Sequence, residues 1–385
     1  MRYTTAGESH GRALVAIVTK VPAGVPIDIE TINADLARRQ LGYGRGGRMR
    51  IETDKVTVLS GVRFGRTIGS PVALTIGNRD WDNWTELMAS SGEKPQSARE
   101  VAPRPGHADL AGVQKTGSND IRDILERASA RETAARVAAG GIAKALLREF
   151  GVVVESYVTA IGGVQADPEA IATAERATVE ASEVRCPDKA ASEQMKTAID
   201  AARAAGESLG GVFVVTATGL VPGLGAYAEA DGRLDSQLSA AVMSIPAIKG
   251  FEVGDGFALA ATPGSRAHDE ILFDRSRGFT RPTNHAGGIE GGMTNGEMLV
   301  VRAAMKPIPT LMTPLASVDL DTLEPVDASK ERSDVCAVPA AAVVAEAEVA
   351  FVLARAYLDK FGHDSLSDML AARDAYLQRL DRTDR

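Results

Sequence analysis

Two histidines and a scatter of arginines are the residues of this chain best suited to chemistry. His10 sits in Gly7-Glu8-Ser9-His10-Gly11, and His107 in Arg104-Pro105-Gly106-His107-Ala108-Asp109. Pro and Gly fix the backbone so that His107 projects from a rigid turn, with Asp109 close enough to orient it. An imidazole held in this way can exchange a proton near neutral pH. Arg122, Arg127 and Arg131 gather at the start of a long predicted helix within Arg122–Leu147. Unpaired N–H groups, the positive end of the helix dipole and guanidinium forks together suit an anion. Pairing of these arginines with Asp120, Asp123 and Glu126 is the ordinary alternative.

Other cations extend that pattern. Asp28 can cap a helix with Ile29, Ile32 and Leu36 on one face, and Arg39 continues the same apolar stripe. A charge there needs a partner, either by snorkelling at the helix end or by meeting an anionic ligand. Gly42-Tyr43-Gly44-Arg45-Gly46-Gly47-Arg48 matches G-x-G-x-x-G by chance. It follows a helix and precedes a strand, the reverse of the dinucleotide-binding context. It reads as a flexible arm that brings Arg45 and Arg48 over a bound anion. Lys306-Pro307-Ile308-Pro309-Thr310 is a stiff irregular segment, and Arg332-Ser333-Asp334 leads into the last long helix.

These residues must be positioned by a mixed set of elements. Strands are predicted at Arg2–Thr5, Ala13–Val18, Lys55–Val62, Ser70–Ile76, Val152–Ile161, Gly211–Leu220 and Met298–Met305. Ser129-Ala130-Arg131-Glu132 fits a capping box that opens a helix of small residues nearly all round, so that helix should be buried and closely packed. Further helices are predicted at Glu193–Ala205, Leu234–Ile248 and about Pro339–Phe361. Thr262–Thr283 reads as a long mobile loop, and the charged tail after Arg373 as frayed.

Composition excludes several classes. A chain of 385 residues, 44% hydrophobic and 24% charged, is ordinary for a soluble globular protein. No apolar run is long enough to cross a bilayer, and the N-terminus lacks a signal-peptide layout. Two cysteines, Cys186 and Cys336, form no disulfide framework or metal-ligand pattern, so a cytoplasmic home and no metal are expected. A net charge of −8 and only 4% aromatic residues oppose nucleic-acid binding, and make a local arginine cluster more informative.

The chain also echoes itself. Gly61-x₃-Gly65-x-Thr67-x-Gly69 recurs as Gly288-x₃-Gly292-x-Thr294-x-Gly296, and Val21-Pro22 as Val221-Pro222. Each half ends in an Arg-rich turn opening a small-residue helix. The matching order implies one domain, 1–385, built from pseudo-repeat halves at about 1–162 and 209–365, with a tail at 373–385.

GESHG at 7–11, RPGHAD at 104–109, RASARETAARVAAG at 127–140 and RSDVCAVPA at 332–340 together resemble the chorismate synthase family. GDGF at 254–257, NHAGGIEGG at 284–292 and AMKP at 304–307 fit the same family, in order and over nearly the whole chain. The resemblance implies an α+β fold, a β-α-β sandwich with long helices between antiparallel sheets, assembled as a homotetramer. It implies 1,4-anti elimination of phosphate from 5-enolpyruvylshikimate 3-phosphate to give chorismate, dependent on reduced FMN, with NADPH entering only as a reductant.

The same resemblance assigns roles by motif. Arg39, Arg45, Arg131 and Arg332 bind the phosphorylated dicarboxylate, with His10 near its leaving phosphate. His107 protonates the reduced flavin, and Asp334 helps it accept the substrate proton. Flavin contacts carry over to Arg127, Ala128, Ser129, Ala247, Gly291, Lys306, Pro307, Ile308, Pro309, Thr310 and Arg332. Pro246 stands where many members have Asn or Gln and offers no amide hydrogen. A flavin reductase using FMN and NAD(P)H would share the phosphate-binding arginines but would not need two histidines and an aspartate around a second anion. An RNA-binding protein using the Gly42–Arg48 loop is opposed by charge and composition.

Overall fold

The computed structural model describes residues 1–46, 53–94, 99–173, 175–276, 278–331 and 333–381. Arg48 and Arg332 therefore lie outside the described residues. In chain order the main elements are β1 (Arg2–Ala6), β2 (Ala13–Thr19), α1 (Ile29–Gln40), β3 (Val56–Ser60) and β4 (Val72–Gly77). Then come α2 (Asp109–Thr116), α3 (Arg122–Ala128), α4 (Thr133–Arg148), β5 (Val153–Ile161), α5 (Lys189–Ala205) and β6 (Gly211–Thr218). The chain continues through α6 (Leu234–Met243), β7 (Ile248–Val253), β8 (Leu299–Met305), α7 (Val338–Phe361) and α8 (Leu366–Leu380).

Two antiparallel sheets hold the long helices. One has the order β1-β2-β4-β3; the other runs β7-β8-β6-β5 and ends in the two-residue strand Val164–Gln165. Helix α4 packs on β2 and β4 of the first sheet, α7 on β5 and β6 of the second, and the two helices pack on each other. This explains the small residues of α4. A Cβ at Gly140 would lie 2.4 Å from Ala347 Cβ and 2.7 Å from its Cα, so only glycine lets the helices approach this closely. The carboxylates that α7 buries are paired. Glu346 accepts from Arg38, Lys144 and Ser156, and Glu348 from Tyr3 and Arg136, as burial of charge requires.

Several expectations need correction. The helix expected behind Ser129 is α4, and a separate helix, α3, precedes it. Ser129 is extended (φ −63°, ψ 142°) and separates α3 from a 3₁₀ turn at Ala130–Glu132 that leads into α4. The capping box is not made: Ser129 Oγ accepts from Arg131 N–H at 3.3 Å, while Glu132 accepts from the Thr5 hydroxyl and from Arg136. Strand β2, whose continuous apolar run reads as a strand buried on both faces, instead alternates between buried and accessible residues, because only one face of its sheet meets the helices. Asp28 does cap α1, and Ile32, Leu36 and Arg39 are buried, but Ile29 is exposed. Helix α6 stops at Met243, and α8 continues through the charged tail to Leu380. The Thr262–Thr283 stretch holds a short helix at Gly264–Ala267 and a hairpin of Leu272–Asp274 with Gly278–Thr280. Phe273 and Phe279 meet edge-on across that hairpin at 5.1 Å, a local apolar anchor.

Candidate active site

The end of α1, the α3–α4 junction, the ends of β7 and β8 and the start of α7 converge on a cavity of about 510 Å³. Its walls have two characters. One is cationic and hydrogen-bonding, from Arg39, Arg45, Arg131, His10 and His107. The other is apolar, from Ile245, Pro246, Ala247, Ile308, Pro309, Ala340, Ala341 and Val344.

Arg39 and Arg131 make the floor. Arg39 is 3% exposed; its Nε donates to Thr133 Oγ1 (2.9 Å) and its Nη2 to the Ala130 carbonyl (3.0 Å). Burial first, and then the neighbouring Arg131, push its guanidinium down to about 9, while Asp54 works against them. It stays charged at neutral pH, and an incoming anion would relieve the same strain. Arg131 Nη1 holds both oxygens of the buried Asp54, at 2.6 and 2.8 Å, and its Nε donates to Asn78 Oδ1 at 3.0 Å. Asp54 is thus an internal counter-ion shared by two arginines, with Arg39 Nη1 at 3.5 Å.

His10 lines the cavity from the Gly7–Gly11 loop, and its Nδ1 faces the buried Glu126 carboxylate at 3.0 and 3.1 Å. Burial works to raise the Glu126 carboxyl, but the hydrogen bonds and charge of His10, with Arg122 behind, outweigh it and leave a net lowering. His107 Nδ1 makes a short contact with Asp109 Oδ1. Asp109 is fully buried and also accepts from Arg104 Nε (2.8 Å) and from the Arg104 backbone N–H (3.0 Å). Burial opposes its ionisation; His107 and Arg104 overcome that and hold it well below the usual carboxylate range. Arg104 Nη1 reaches Thr310 Oγ1 at 3.1 Å and so ties the His107 turn to the Lys306–Thr310 segment.

Asp334, just before α7, does not cap it: the N-cap of α7 is Ala337, with no side-chain bond. Its carboxylate accepts from Gly46 N–H (2.6 Å) and pairs with Arg45 Nη1 (2.7 Å). The base of the glycine arm is therefore strapped down rather than anchorless. Tyr43 packs against the core, its hydroxyl donates to Asp200, and Gly44 O accepts from Val335 N–H at 2.8 Å.

On the apolar wall, Ala247 has φ 69°, an uncommon conformation for a residue with a Cβ, and its carbonyl accepts from Lys306 N–H at 2.9 Å. The Lys306 ammonium donates to Gly106 O; burial first and Lys249 second lower its affinity for a proton.

The cavity thus brings together His10, Arg39, Arg45, His107, Ala128, Ser129, Arg131, Ala247, Lys306, Ile308, Pro309, Thr310 and Asp334. It does not include Arg127, whose guanidinium donates to the Gly7 and Thr5 carbonyls, nor exposed Pro307. Gly291 lies in the turn between Ile289–Glu290 and Met293–Thr294, away from this wall. Sequence reasoning missed Ser9, Asp54, Trp84, Thr133, Glu126 and Glu331. Only Glu126 had a signal, as one of the acids weighed against Arg122. Among the described residues, no group of His, Cys, Asp and Glu could hold a metal ion, and no helix is long and apolar enough to cross a membrane.

Comparison with known proteins adds a separate line. The chorismate synthase family model matches residues 1–358. Chorismate synthase of Symbiobacterium thermophilum is 58% identical, over 99% of this chain and 100% of its own. That of Geobacter sulfurreducens is 54% identical over 98% of both chains. A crystal structure of chorismate synthase superposes with a TM-score of 0.80 at 42% identity, covering 99% of this chain and 98% of the other.

Proposed function

The chain belongs to the chorismate synthase family, and from that premise we propose how its cavity performs the family's reaction. That reaction eliminates phosphate from 5-enolpyruvylshikimate 3-phosphate to give chorismate, in the shikimate pathway to the aromatic amino acids, and it depends on reduced FMN. When bound, reduced FMN supplies an electron-rich surface and a base for the substrate proton. The residues present fit that group. The wall of Ala247, Ile308, Pro309, Ala340, Ala341 and Val344 suits a flat ring system, and Ser129 and Thr310 offer hydroxyls. Lys306 and Lys249 repel one another, and a phosphate would relieve that repulsion.

The chain's own residues then divide the work. Arg39, Arg131 and Arg45 bind the carboxylates and phosphate of the substrate, which competes with Asp54 and Asp334 for their forks. His10 donates from Nε2 beside the departing phosphate, since its Nδ1 is turned to Glu126. His107 holds a proton at Nε2 for the flavin side, with Nδ1 kept by Asp109. Asp334, once Arg45 turned to the substrate, would leave a carboxylate free to assist uptake of the substrate proton. The observation that carries this reading is the convergence of three arginines and two carboxylate-held histidines on one cavity with an apolar opposite wall.

Three broader readings accompany it. The two halves are copies of one unit, supported by the shared strand order β1-β2-β4-β3 and β5-β6-β8-β7, with α1 matching α6 and α4 matching α7; on this order the second copy starts at β5, inside the 1–162 half drawn from the sequence echo, and not at 209. The protein is a homotetramer, supported by the exposed Phe257 and Phe279. It is cytoplasmic, which two buried, unpaired cysteines favour.

An anaerobic assay with chemically reduced FMN tests the central reading. Phosphate and chorismate should appear in equal amounts, with no net flavin oxidation and no need for NADPH. Consumption of NADPH without phosphate release would make the protein a flavin reductase instead.

A further inference from the structure

The mechanism above uses the side chains that grip His10 only to say which nitrogen it turns outward. Both Glu126 oxygens approach its Nδ1, and its backbone N–H donates to Glu126 Oε2 at 2.8 Å. The preceding Ser9 N–H donates to the Glu126 carbonyl at 2.8 Å, so residue 126 fixes the loop as well as the ring. One face of the imidazole stacks on Trp84, with centroids 3.8 Å apart and planes 25° from parallel. Arg122 lies 5.3 Å from the Trp84 ring centroid and donates its Nη1 to Glu126 Oε1 at 3.1 Å. Glu126 is only 2% exposed, and a carboxylate so buried is costly unless it is paired.

We propose that Glu126 is the positioning residue for His10. It keeps a hydrogen on Nδ1, presents Nε2 to the leaving phosphate and compensates the charge of the protonated ring, while Trp84, backed by Arg122, holds the ring plane. The inference rests on the reading of His10 given above. The physical reason is that a ring nitrogen bonded to a carboxylate fixes the tautomer and leaves proton exchange to the other nitrogen. Other charged groups that line the same cavity or flank Trp84 have partners of their own. Arg122 is shared with Glu331 at 3.5 Å, Asp80 is turned to Trp84 Nε1 at 3.2 Å, and Arg131 and Arg45 are engaged by Asp54 and Asp334.

Two measurements test this. In flavin-free protein, at a pH high enough to leave the ring neutral, ring ¹⁵N spectra of His10, assigned with His10→Asn, should show its hydrogen on Nδ1. In Glu126→Leu that hydrogen should move to Nε2. In holoenzyme assays, Glu126→Gln keeps an acceptor but loses the charge. Its kcat should fall about 10- to 100-fold while KM for the phosphoester stays within about threefold. Trp84→Leu should lose severalfold in kcat with the tautomer unchanged. A Glu126→Gln enzyme with wild-type kcat, or a Glu126→Leu ring still protonated on Nδ1, would overturn the proposal. If Glu126→Leu does not fold, the Gln variant decides. Should His10→Asn itself turn over normally, the phosphate role fails, yet the spectra still judge Glu126.

Discussion

The two histidines of the cavity are built alike and reached differently. Each imidazole turns Nδ1 to a buried carboxylate, and each carboxylate is shared with an arginine: His10–Glu126–Arg122 and His107–Asp109–Arg104. In both, burial works to raise the carboxyl and the histidine and arginine bring it below its ordinary value. The His107 set lies within six consecutive residues, 104–109, whereas His10 and Glu126 are 116 residues apart. The same device is thus made once by a turn and once by the fold.

The largest expected effect asks whether the two sites are equally indispensable. His107→Ala and His10→Ala should each lose at least about a hundredfold in kcat with reduced FMN, and His107→Ala should leave substrate KM nearly unchanged. Near wild-type turnover in both, between about pH 6 and 8, would remove both from the chemistry.

Asp334 tests a second long-range pair, with Arg45. Asp334→Asn should fold and bind FMN and substrate within roughly tenfold, or about 1.4 kcal/mol. It should lose at least about a hundredfold in turnover. The structure removes the capping explanation, since Asp334 holds Gly46 and Arg45 instead of α7. Normal turnover in this variant would leave it a strap for the arm alone.

What could be read from the sequence follows the same division. Arg104-Pro105-Gly106-His107-Ala108-Asp109 showed its dyad because turn chemistry acts within a few residues. The stripe on α1 showed that Arg39 was buried and needed a partner, since helical period is a local property. Its partner Asp54 could not be found, because it lies on the segment before β3 and only the fold brings that segment, Arg39 of α1 and Arg131 of the α3–α4 junction together. The start at Ser129 was legible from its capping signature, but the separate helix α3 before it and the true partners of Glu132 were not. Glu132 is claimed instead by Thr5 and Arg136, and Thr5 lies on β1, remote in sequence. The sheet orders, likewise, are decided by non-local pairing that strand patterns do not encode.

A smaller effect concerns stability. Asp109→Asn leaves Arg104 without its buried counter-charge and should cost about 3 kcal/mol. The sign of its pH dependence follows from the lowered carboxyl. The unfolded chain takes up a proton on Asp109 near pH 4, before the folded protein does. The stabilisation is therefore complete at neutral pH and drains away as pH falls below about 4. Urea melts of wild type and variant should converge on acidification. A constant gap down to the acid limit would show that Asp109 acts by shape rather than charge.

The smallest effect separates the local site from the non-local one through their glycines. Gly106 has φ +79°, and a Cβ there would meet Lys306 Nζ at 3.2 Å and Pro309 Cβ at 3.6 Å. The first neighbour is the movable end of a long side chain, so the cost is mainly the left-handed backbone, about 1 kcal/mol. Gly7, before His10, has φ +105°, and its Cβ would sit 2.3 Å from the Ala13 carbonyl oxygen on β2. Backbone in a sheet cannot yield as an ammonium can. Gly106→Ala should therefore fold with about 1 kcal/mol less stability in urea melts and bind FMN severalfold more weakly, because Lys306 must move. Gly7→Ala should lose distinctly more stability. Equal losses would mean that the His107 turn is held by the surrounding fold as firmly as the His10 loop, and that its local construction confers no independence.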